Sequence, residues 1–534
     1  MISNTEAGVR PFLLMVSMAL VVSFAFQGTR GLYETSEGRY AECAREMVET
    51  GQYLEPTLNY RPHWTKPPLT YWAIAGGIKL LGANEWGVRF YNSVASFLTT
   101  LVVASLGFLL WGWSAGVLAG IIYASSPFPA FGGYAVTIDT LLTLWEVIAV
   151  FCYLKATHDT GKKDGRRWII TMWVFLGLGF LTKGPPSLLP LLPILVWHFL
   201  KRPEAKLADP VGLALFAGTG FWWYLVVGFR HPELFSYFIG HEVVDRVASN
   251  TMHNHEWYKP FTMYLPALTL GAGPWLYWGA VSFWRKRLFH PAIIFRYFRK
   301  KKKESFLLLW LLLPLIVFFL VKSRLYLYVL PLYAPIALAI GAGMLSLEGK
   351  GRAVSRAISV AVVTALFLVG IKAVSSFYPN KNNMKPLFKL CQAVNTDGAR
   401  FAAFNEPKLY GLQFYLGGNL KRITLTGGEA WADGSLKDIV KEARKGVLPH
   451  AYVLISQKKK AHLLVGALKE FKVPFRTAEN KYWLLCVIQP LKVANHLLSS
   501  PLSHDPRVIP GGSTSVPFQE LGSDPLQQQF PGLS

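Results

Sequence analysis

Residues 33–72, YETSEGRYAECAREMVETGQYLEPTLNYRPHWTKPPLTYW, decide how this chain reads. The stretch follows the apolar segment 11–28 and is dense in charge and aromatics: Glu34, Glu37, Arg39, Glu42 and Lys66 stand among Tyr33, Tyr40, Trp64, Tyr71 and Trp72. It is too polar to cross a bilayer and too regularly patterned to be disordered. From Gly38 to Thr50, Tyr40, Cys43, Ala44 and Met47 share one helical face, and Glu42, Arg45, Glu46 and Glu49 share the other. Gly51 stops that helix. Trp64, Pro67, Pro68, Tyr71 and Trp72 predict an interfacial turn and a re-entry toward lipid.

Around this stretch the chain is mostly apolar. Its 534 residues are 52% hydrophobic and 14% aromatic, and the mean hydropathy is +0.30. That composition excludes an ordinary soluble protein. Segments of roughly 17 to 25 apolar residues are long enough to span a bilayer. The candidates are 11–28, 92–111, 114–131, 138–156, 168–182, 185–200, 209–229, 262–284, 305–321, 326–346 and 357–375, with a break at Lys183-Gly184-Pro185-Pro186. No small-x-small cleavage site follows the first segment, so it reads as a retained span. The predicted fold is an α-helical polytopic membrane protein of about 11 to 13 spans.

The net charge of +24 does not point to nucleic acid, because the basic runs lie between spans. With the N-terminus in the cytoplasm, Lys162 to Arg167, Lys201 with Arg202 and Lys206, Arg285 to Lys303, and Lys350, Arg352 and Arg356 all fall inside. They read as topology signals and contacts to anionic membrane lipids. The outer side then holds residues 29–91, Asp139, residues 230–261 and everything after about 376. The expected division is a membrane domain over 1–376, a small α/β domain over 377–497 and a disordered tail over 498–534. In the second part, 401–404, 451–455 and 482–487 read as strands, and 436–445 and 460–471 as helices. Cys43, Cys152, Cys391 and Cys486 have no metal-ligand spacing, and a Cys391–Cys486 disulfide is open if that part lies outside the cytoplasm.

The candidate chemistry sits on that side. Glu34 and Glu37 flank Ser36, which reads as a helix N-cap; either acid could serve as general base or fix a cation. Asp139 opens an apolar span, where an ionisable residue is a functional candidate and an N-cap is the plainer reading. Lys66, Lys183 and Arg324 end spans on the same side; they either snorkel or bind a lipid phosphate. Arg246 is a further phosphate candidate. Glu242, His253, His255 and Glu256 are weak candidates for a divalent metal, since HxH in a loop says little.

The motifs EGRYAECAREM, GQYLEPTLN and KPPLTYW resemble the first outer loop of the aminoarabinose (4-amino-4-deoxy-L-arabinose) transferase family. That family and the related protein O-mannosyltransferases are C-type membrane glycosyltransferases. NEWGVRF at 84–90, IDTLLT at 138–143, LTKGP at 181–185, GPW at 273–275 and SRLYLYVLPLY at 323–333 keep the family's order. The resemblance implies a sugar donor carried on a polyprenyl phosphate such as undecaprenyl phosphate. It implies transfer at the outer face of the bacterial inner membrane to lipid A, another envelope glycan or a protein. It places Glu37, with Glu34 in reserve, and Asp139 as active-site acids and gives the donor phosphate to Lys66. Beside that, Arg39 is expected from its place next to them to orient the acids. Two positions depart from the pattern. The family's first acid is Ser36 here, and its metal-contacting acid before the lysine is Thr65. A transporter or flippase of a lipid-linked sugar would want internal repeats and mid-span charges, and a non-catalytic envelope assembly protein would use the outer domain for binding.

Overall fold

A computed structural model describes residues 2–158, 162–240, 254–285, 302–394, 398–445 and 450–489, with 287, 290 and 448 besides. The chain divides into two compact units. The first comprises 1–388 with 408–420, and the second 389–407 with 421–534.

The first unit is a helical bundle. Its opening helices are α1 (Ile2–Phe24), α2 (Ser36–Thr50), α3 (Leu69–Leu81), α4 (Glu85–Trp111), α5 (Trp113–Ser125), α6 (Pro127–Gly132), α7 (Ile138–His158) and α8 (Lys162–Lys183). Local chemistry sets their ends. Asn84 caps α4, its side chain accepting from the Gly87 amide at 3.0 Å. Gly51 ends α2 in the left-handed region at φ 72°. α4 and α5 cross with backbones almost touching. A Cβ added at Gly107 would meet the Gly116 Cα at 2.7 Å, the close approach that small residues permit between membrane helices. A large apolar core of α1, α4, α5, α7 and α8 with Trp275, Trp310 and Tyr333 holds this bundle together.

Among the described residues, five helices are long and apolar enough to cross a membrane: Glu85–Trp111, Ile138–His158, Lys303–Leu320, Tyr326–Glu348 and Lys350–Phe377. Pro210–Gly220 and Trp222–Arg230 add a sixth if the pair, bent by 45°, counts as one. The other expected spans fall on shorter or interrupted helices. α5 is one; Leu191–Lys201 follows the Gly184-Pro185-Pro186 break, and Lys259–Leu270 and Trp275–Arg285 are separated by Gly271 to Pro274. Proline and glycine split these apolar runs, which composition alone counts as continuous.

The first loop is a folded layer. α2 carries it, and β1 (Thr57–Leu58) pairs antiparallel with β2 (Arg61–Pro62) around a two-residue turn. Asn59 and Tyr60 in that turn both take φ 58°, as a tight hairpin requires. α3 is the re-entering helix beyond the expected turn. α2, α3, α4 and α7 share a second core built on Tyr40, Met47, Tyr71, Ile74, Val88 and Leu141, and Phe414 joins it from far along the chain. Two expectations change here. The residue before α2 is Thr35, with no side-chain cap, and Ser36 is the first helical residue, so Ser36 is not the N-cap. At α7 the capping contact is made by Thr137, whose hydroxyl accepts from the Asp139 amide at 3.2 Å, which frees Asp139 for other partners.

The second unit is α/β, as expected. With β4 (Leu420–Thr424) and β5 (Gly434–Ser435), its six-stranded sheet runs β5-β4-β3-β6-β8-β7. β3 (Arg400–Phe404) and β6 (Tyr452–Gln457) pair parallel, and β8 (Trp483–Ile488) lies antiparallel to β6 and to β7 (Arg476–Glu479). The helices Leu436–Arg444 and Ala461–Glu470 pack on it. Cys391 and Cys486 are both free and buried, so the open disulfide is not formed. The expected tail lies outside the described residues, as does Arg246.

Gly38 tests the first-loop packing. A Cβ there would lie 2.3 Å from the Gly411 amide nitrogen, backbone against backbone. Gly38→Ala is expected to cost about 2 kcal/mol or more. Gly51→Ala, in open space but at φ 72°, is expected to cost about 1 kcal/mol. Thermal unfolding of the two purified variants checks the order; equal losses would contradict the contact.

Candidate active site

Glu37 is the most heavily bound carboxylate of the first loop. Arg30 grips it with two parallel bonds, Nη1 to Oε2 and Nη2 to Oε1, both 2.8 Å. Arg89 of α4 donates from Nη2 to Oε2 at 3.0 Å. The amides of Tyr33 and Val136 add bonds at 2.9 and 3.0 Å. Arg89 is fully buried and also donates from its Nη atoms to the carbonyls of Gln27, Arg30 and Gly31 at 2.7, 2.6 and 2.9 Å. Burial alone would push the Glu37 carboxyl up. The Arg89 and Arg30 guanidiniums outweigh it and hold it at about 2. With every lone-pair direction in use, Glu37 ties together residues 30–33, α4 and the irregular segment before α7.

That segment leads to Asp139. Its Oδ1 pairs with the Lys183 ammonium at the end of α8, and its Oδ2 accepts from the Thr137 hydroxyl at 2.8 Å. The Lys183 ammonium also sits 4.0 Å from the centre of the Tyr328 ring. Tyr91, whose hydroxyl bonds the Thr137 carbonyl at 3.0 Å, is within electrostatic reach of both Glu37 and Asp139. Glu37 and Asp139 therefore belong to one neighbourhood.

Arg39 stands apart. The other arginines here are committed: Arg30 and Arg89 to Glu37, and Arg45 to Glu42 and Glu49. Arg39 has no carboxylate partner among the described residues, and its buried Nε has no hydrogen-bond partner. The groups that act on it are Tyr40, Tyr71, Cys43 and Tyr410. His63 lies nearby and is pushed down to about 3 by burial, then by the charges of Arg39 and Lys66. Arg39, Lys66 and neutral His63 thus form a cationic corner. Tyr40 joins it to the acid, being in reach of Arg39, Asp139 and Tyr328. An uncommitted guanidinium beside an ammonium is suited to a phosphate.

Other expected residues take other places. Arg39 does not orient the acids; Arg30 and Arg89, which the sequence reading passed over, hold Glu37. Glu34 accepts the amides of Tyr410 and Gly411 at 3.0 and 2.8 Å. Lys183 serves Asp139. Arg324 donates to the carbonyls of Asn254, Glu256 and Phe319 at 3.0, 3.1 and 3.1 Å, tying a loop to a helix end. Glu242 and His253 lie outside the described residues, and His255 is exposed. Among the described residues no three His, Cys, Asp or Glu side chains converge on a metal position. Thr65, where the family pattern has a metal-contacting acid, bonds His63 at 2.8 Å instead. The described residues do not fit a metal there, and the chemistry assigned below is that of side chains.

Residues 65–222 match the family model described as dolichyl-phosphate-mannose-protein mannosyltransferase. The family resemblance is shown. The undecaprenyl phosphate-alpha-4-amino-4-deoxy-L-arabinose arabinosyl transferase of Aeromonas salmonicida is 31% identical over 335 residues, covering 61% of this chain and 58% of that protein. The protein of the same description from Pectobacterium carotovorum is 32% identical over 339 residues, covering 62% and 58%. The chain thus spans under two thirds of the length of these curated relatives. Its fold is shared with the crystal structure of ArnT from Cupriavidus metallidurans bound to undecaprenyl phosphate, at TM-score 0.74 and 18% identity, covering 89% of this chain and 97% of that one. The archaeal oligosaccharyltransferase AglB from Archaeoglobus fulgidus aligns at TM-score 0.50 and 12% identity, covering 93% and 76%.

Two outcomes follow from the first-loop carboxylates. Glu37→Gln leaves two buried guanidiniums short of their counter-ion and is expected to cost about 3–5 kcal/mol of stability, read by thermal or denaturant unfolding. Glu46 of α2 behaves oppositely. Its Oε2 accepts from the Thr57 hydroxyl and the Tyr60 amide at 2.6 and 3.0 Å, clamping the hairpin. Burial first, and the Glu42 charge with it, raise Glu46 from 4.5 to about 7 despite those bonds. A raised acid binds its proton more tightly when folded, so its stabilising contribution is complete below about 4.5 and lost as pH climbs through about 7. Melting temperatures from pH 5 to 8 should fall in wild type and flatten in Glu46→Gln; equal slopes would contradict this.

Proposed function

We propose that this chain is a membrane glycosyltransferase that moves a sugar from a polyprenyl-phosphate donor, such as undecaprenyl phosphate, to an acceptor at the outer face of the bacterial inner membrane. Lipid A or another envelope glycan is the favoured acceptor class, with protein as the alternative. One observation carries the reading: the uncommitted Arg39, grouped with Lys66 and His63, beside the Asp139–Lys183 pair. The arabinosyl transferases to which the chain is similar support it.

The chemistry follows from that arrangement. The acceptor oxygen attacks the anomeric carbon of the sugar. The bond from that carbon to the phosphate oxygen breaks, and polyprenyl phosphate departs with the electron pair. Arg39 and Lys66 stabilise the charge that grows on the leaving phosphate. The acceptor proton passes to the Asp139 carboxylate, which Lys183 and Thr137 hold in place. Glu37 is a positioning residue: its lone pairs are taken, and it fixes the loop that presents Arg39 and the segment that presents Asp139.

The test uses membranes given labelled polyprenyl-phosphate sugar and an envelope extract as acceptor. Asp139→Asn and Arg39→Gln should each lower the transfer rate per folded protein about 100-fold or more, with a lower melting temperature for Asp139→Asn because Lys183, its side chain 9% exposed, loses its counter-ion. Transfer retained in both variants would overturn the site assignment.

A further inference from the structure

The second unit carries a crevice of its own. Its chain leaves β3 to form β4 on one side and, after the helix Leu436–Arg444, returns to form β6 on the other side, parallel to β3. The strand order therefore reverses between β3 and β6, and the crevice outside the carboxyl ends of such strands is where α/β sheets bind ligands. Two short stretches reach it: Asn405-Glu406-Pro407 after β3, and Gln457 at the end of β6 with Lys458, Lys459 and Lys460 beyond. Asn405 takes φ 53°, a turn that an asparagine tolerates, and its amide is tied to the Ile423 carbonyl at 2.9 Å. Glu406 then comes back against β6. Its Oε2 accepts from the Gln457 side-chain amide at 3.0 Å, and its Oε1 lies 3.9 Å from the Lys460 ammonium.

The bonding left over there points to a ligand. Glu406 is 7% exposed, and its Oε1 has no hydrogen-bond partner among the described residues. Burial raises its carboxyl above the ordinary range, and the Lys460 charge and the Gln457 bond offset that only in part. The helical run that opens as Lys458–Lys460 and continues as Ala461–Glu470 starts without a side-chain cap, since Gln457 before it gives its side chain to Glu406. Lys458 is paired with Glu479 at 2.9 Å. Lys459 is exposed and Lys460 half-buried at that opening, which together favour an anion. The two halves of the crevice select a ligand class. A bare anion is repelled by Glu406, and a bare cation by the lysines. Two ammoniums at a helix opening match the nearly double charge of a phosphate. A carboxylate that already has an ammonium beside it is served by a neutral donor such as a hydroxyl. We infer that this crevice binds a phosphorylated sugar, with Glu406 on a sugar hydroxyl and Lys459 and Lys460 on the phosphate. The sugar phosphate is either free or the headgroup of a glycolipid. The site is independent of the transferase reading and shares no residue with it.

The experiment uses the full-length protein in detergent and isothermal titration calorimetry. Glucose 1-phosphate, inorganic phosphate and a phosphorylated glucosamine glycolipid are titrated into wild type, Glu406→Ala and Lys460→Ala, with melting temperature as the folding control. Glu406→Gln, which keeps a partner for Gln457 and lacks the charge, replaces the alanine variant if that one melts early. Removing one hydrogen bond to a charged group weakens binding about tenfold. Glu406→Ala should therefore raise Kd for glucose 1-phosphate by about that factor and leave inorganic phosphate bound as tightly or more so. Lys460→Ala should weaken both by a similar factor. Glycolipid bound in place of glucose 1-phosphate, with the same dependence on Glu406 and Lys460, assigns the crevice to a membrane headgroup; glucose 1-phosphate bound alone assigns it to the free sugar phosphate. Binding of neither, binding that both substitutions leave unchanged, or an equal loss of inorganic phosphate in Glu406→Ala overturns the site. Each of these results leaves the proposed transfer reaction, which is read at Asp139 and Arg39, as it stands.

Discussion

A single carboxylate between two buried guanidiniums organises the first loop. Arg30 and Arg89 reach Glu37 from different parts of the chain, 7 and 52 residues away. Bringing three charges out of water is costly unless every donor and acceptor is met. Here the Glu37 carboxylate is met by two guanidiniums and two amides, and three carbonyls take Arg89 donors, while the buried Arg89 Nε has no partner among the described residues. The same bonds dictate where α2 starts, where α4 enters and how the chain approaches α7. Asp139, Arg39 and their neighbours inherit their positions from that arrangement.

Charge is sorted within this layer. Arg30, Arg45 and Arg89 neutralise acids and serve the fold. Arg39 has no carboxylate partner among the described residues, and the proposed reaction gives it the donor phosphate. His63 stays neutral beside Arg39 because burial disfavours its charged form, and the Arg39 and Lys66 charges add to that. Asp139 is treated differently from Glu37: it keeps one ammonium and one hydroxyl rather than two guanidiniums. Two acids in one neighbourhood thus have different work, one structural and one available for proton transfer in the proposed reaction.

Much of the architecture could be read in advance. The apolar runs map to helices, the α/β unit has strands where alternation placed them, and the crowded stretch 33–72 is the folded layer that its pattern implied. The partnerships could not be read. Asp139 and Lys183 are 44 residues apart and Glu34 and Tyr410 are 376 apart; periodicity carries no information about such meetings. Arg39 looked like the residue to orient the acids because it is next to them in sequence, but successive positions on a helix face different ways. Arg30 and Arg89 escaped notice because each sits at the border of an apolar run, where an arginine usually snorkels. The span count was blurred by glycine and proline breaks, which interrupt helices without interrupting hydropathy. The docking of 408–420 on the first loop had no local signal beyond Gly411, and a lone glycine does not announce what it will touch.

The central claim is that phosphate is held at the Arg39 corner and not by the guanidiniums around Glu37. A structure of the full-length protein with undecaprenyl phosphate, determined by cryo-electron microscopy, tests it most directly. The account predicts phosphate density within hydrogen-bonding distance of the Arg39 guanidinium, with the Glu37–Arg30–Arg89 contacts unchanged. Density bound to Arg30 or Arg89, with Glu37 displaced, or phosphate remote from Arg39 altogether, would contradict it.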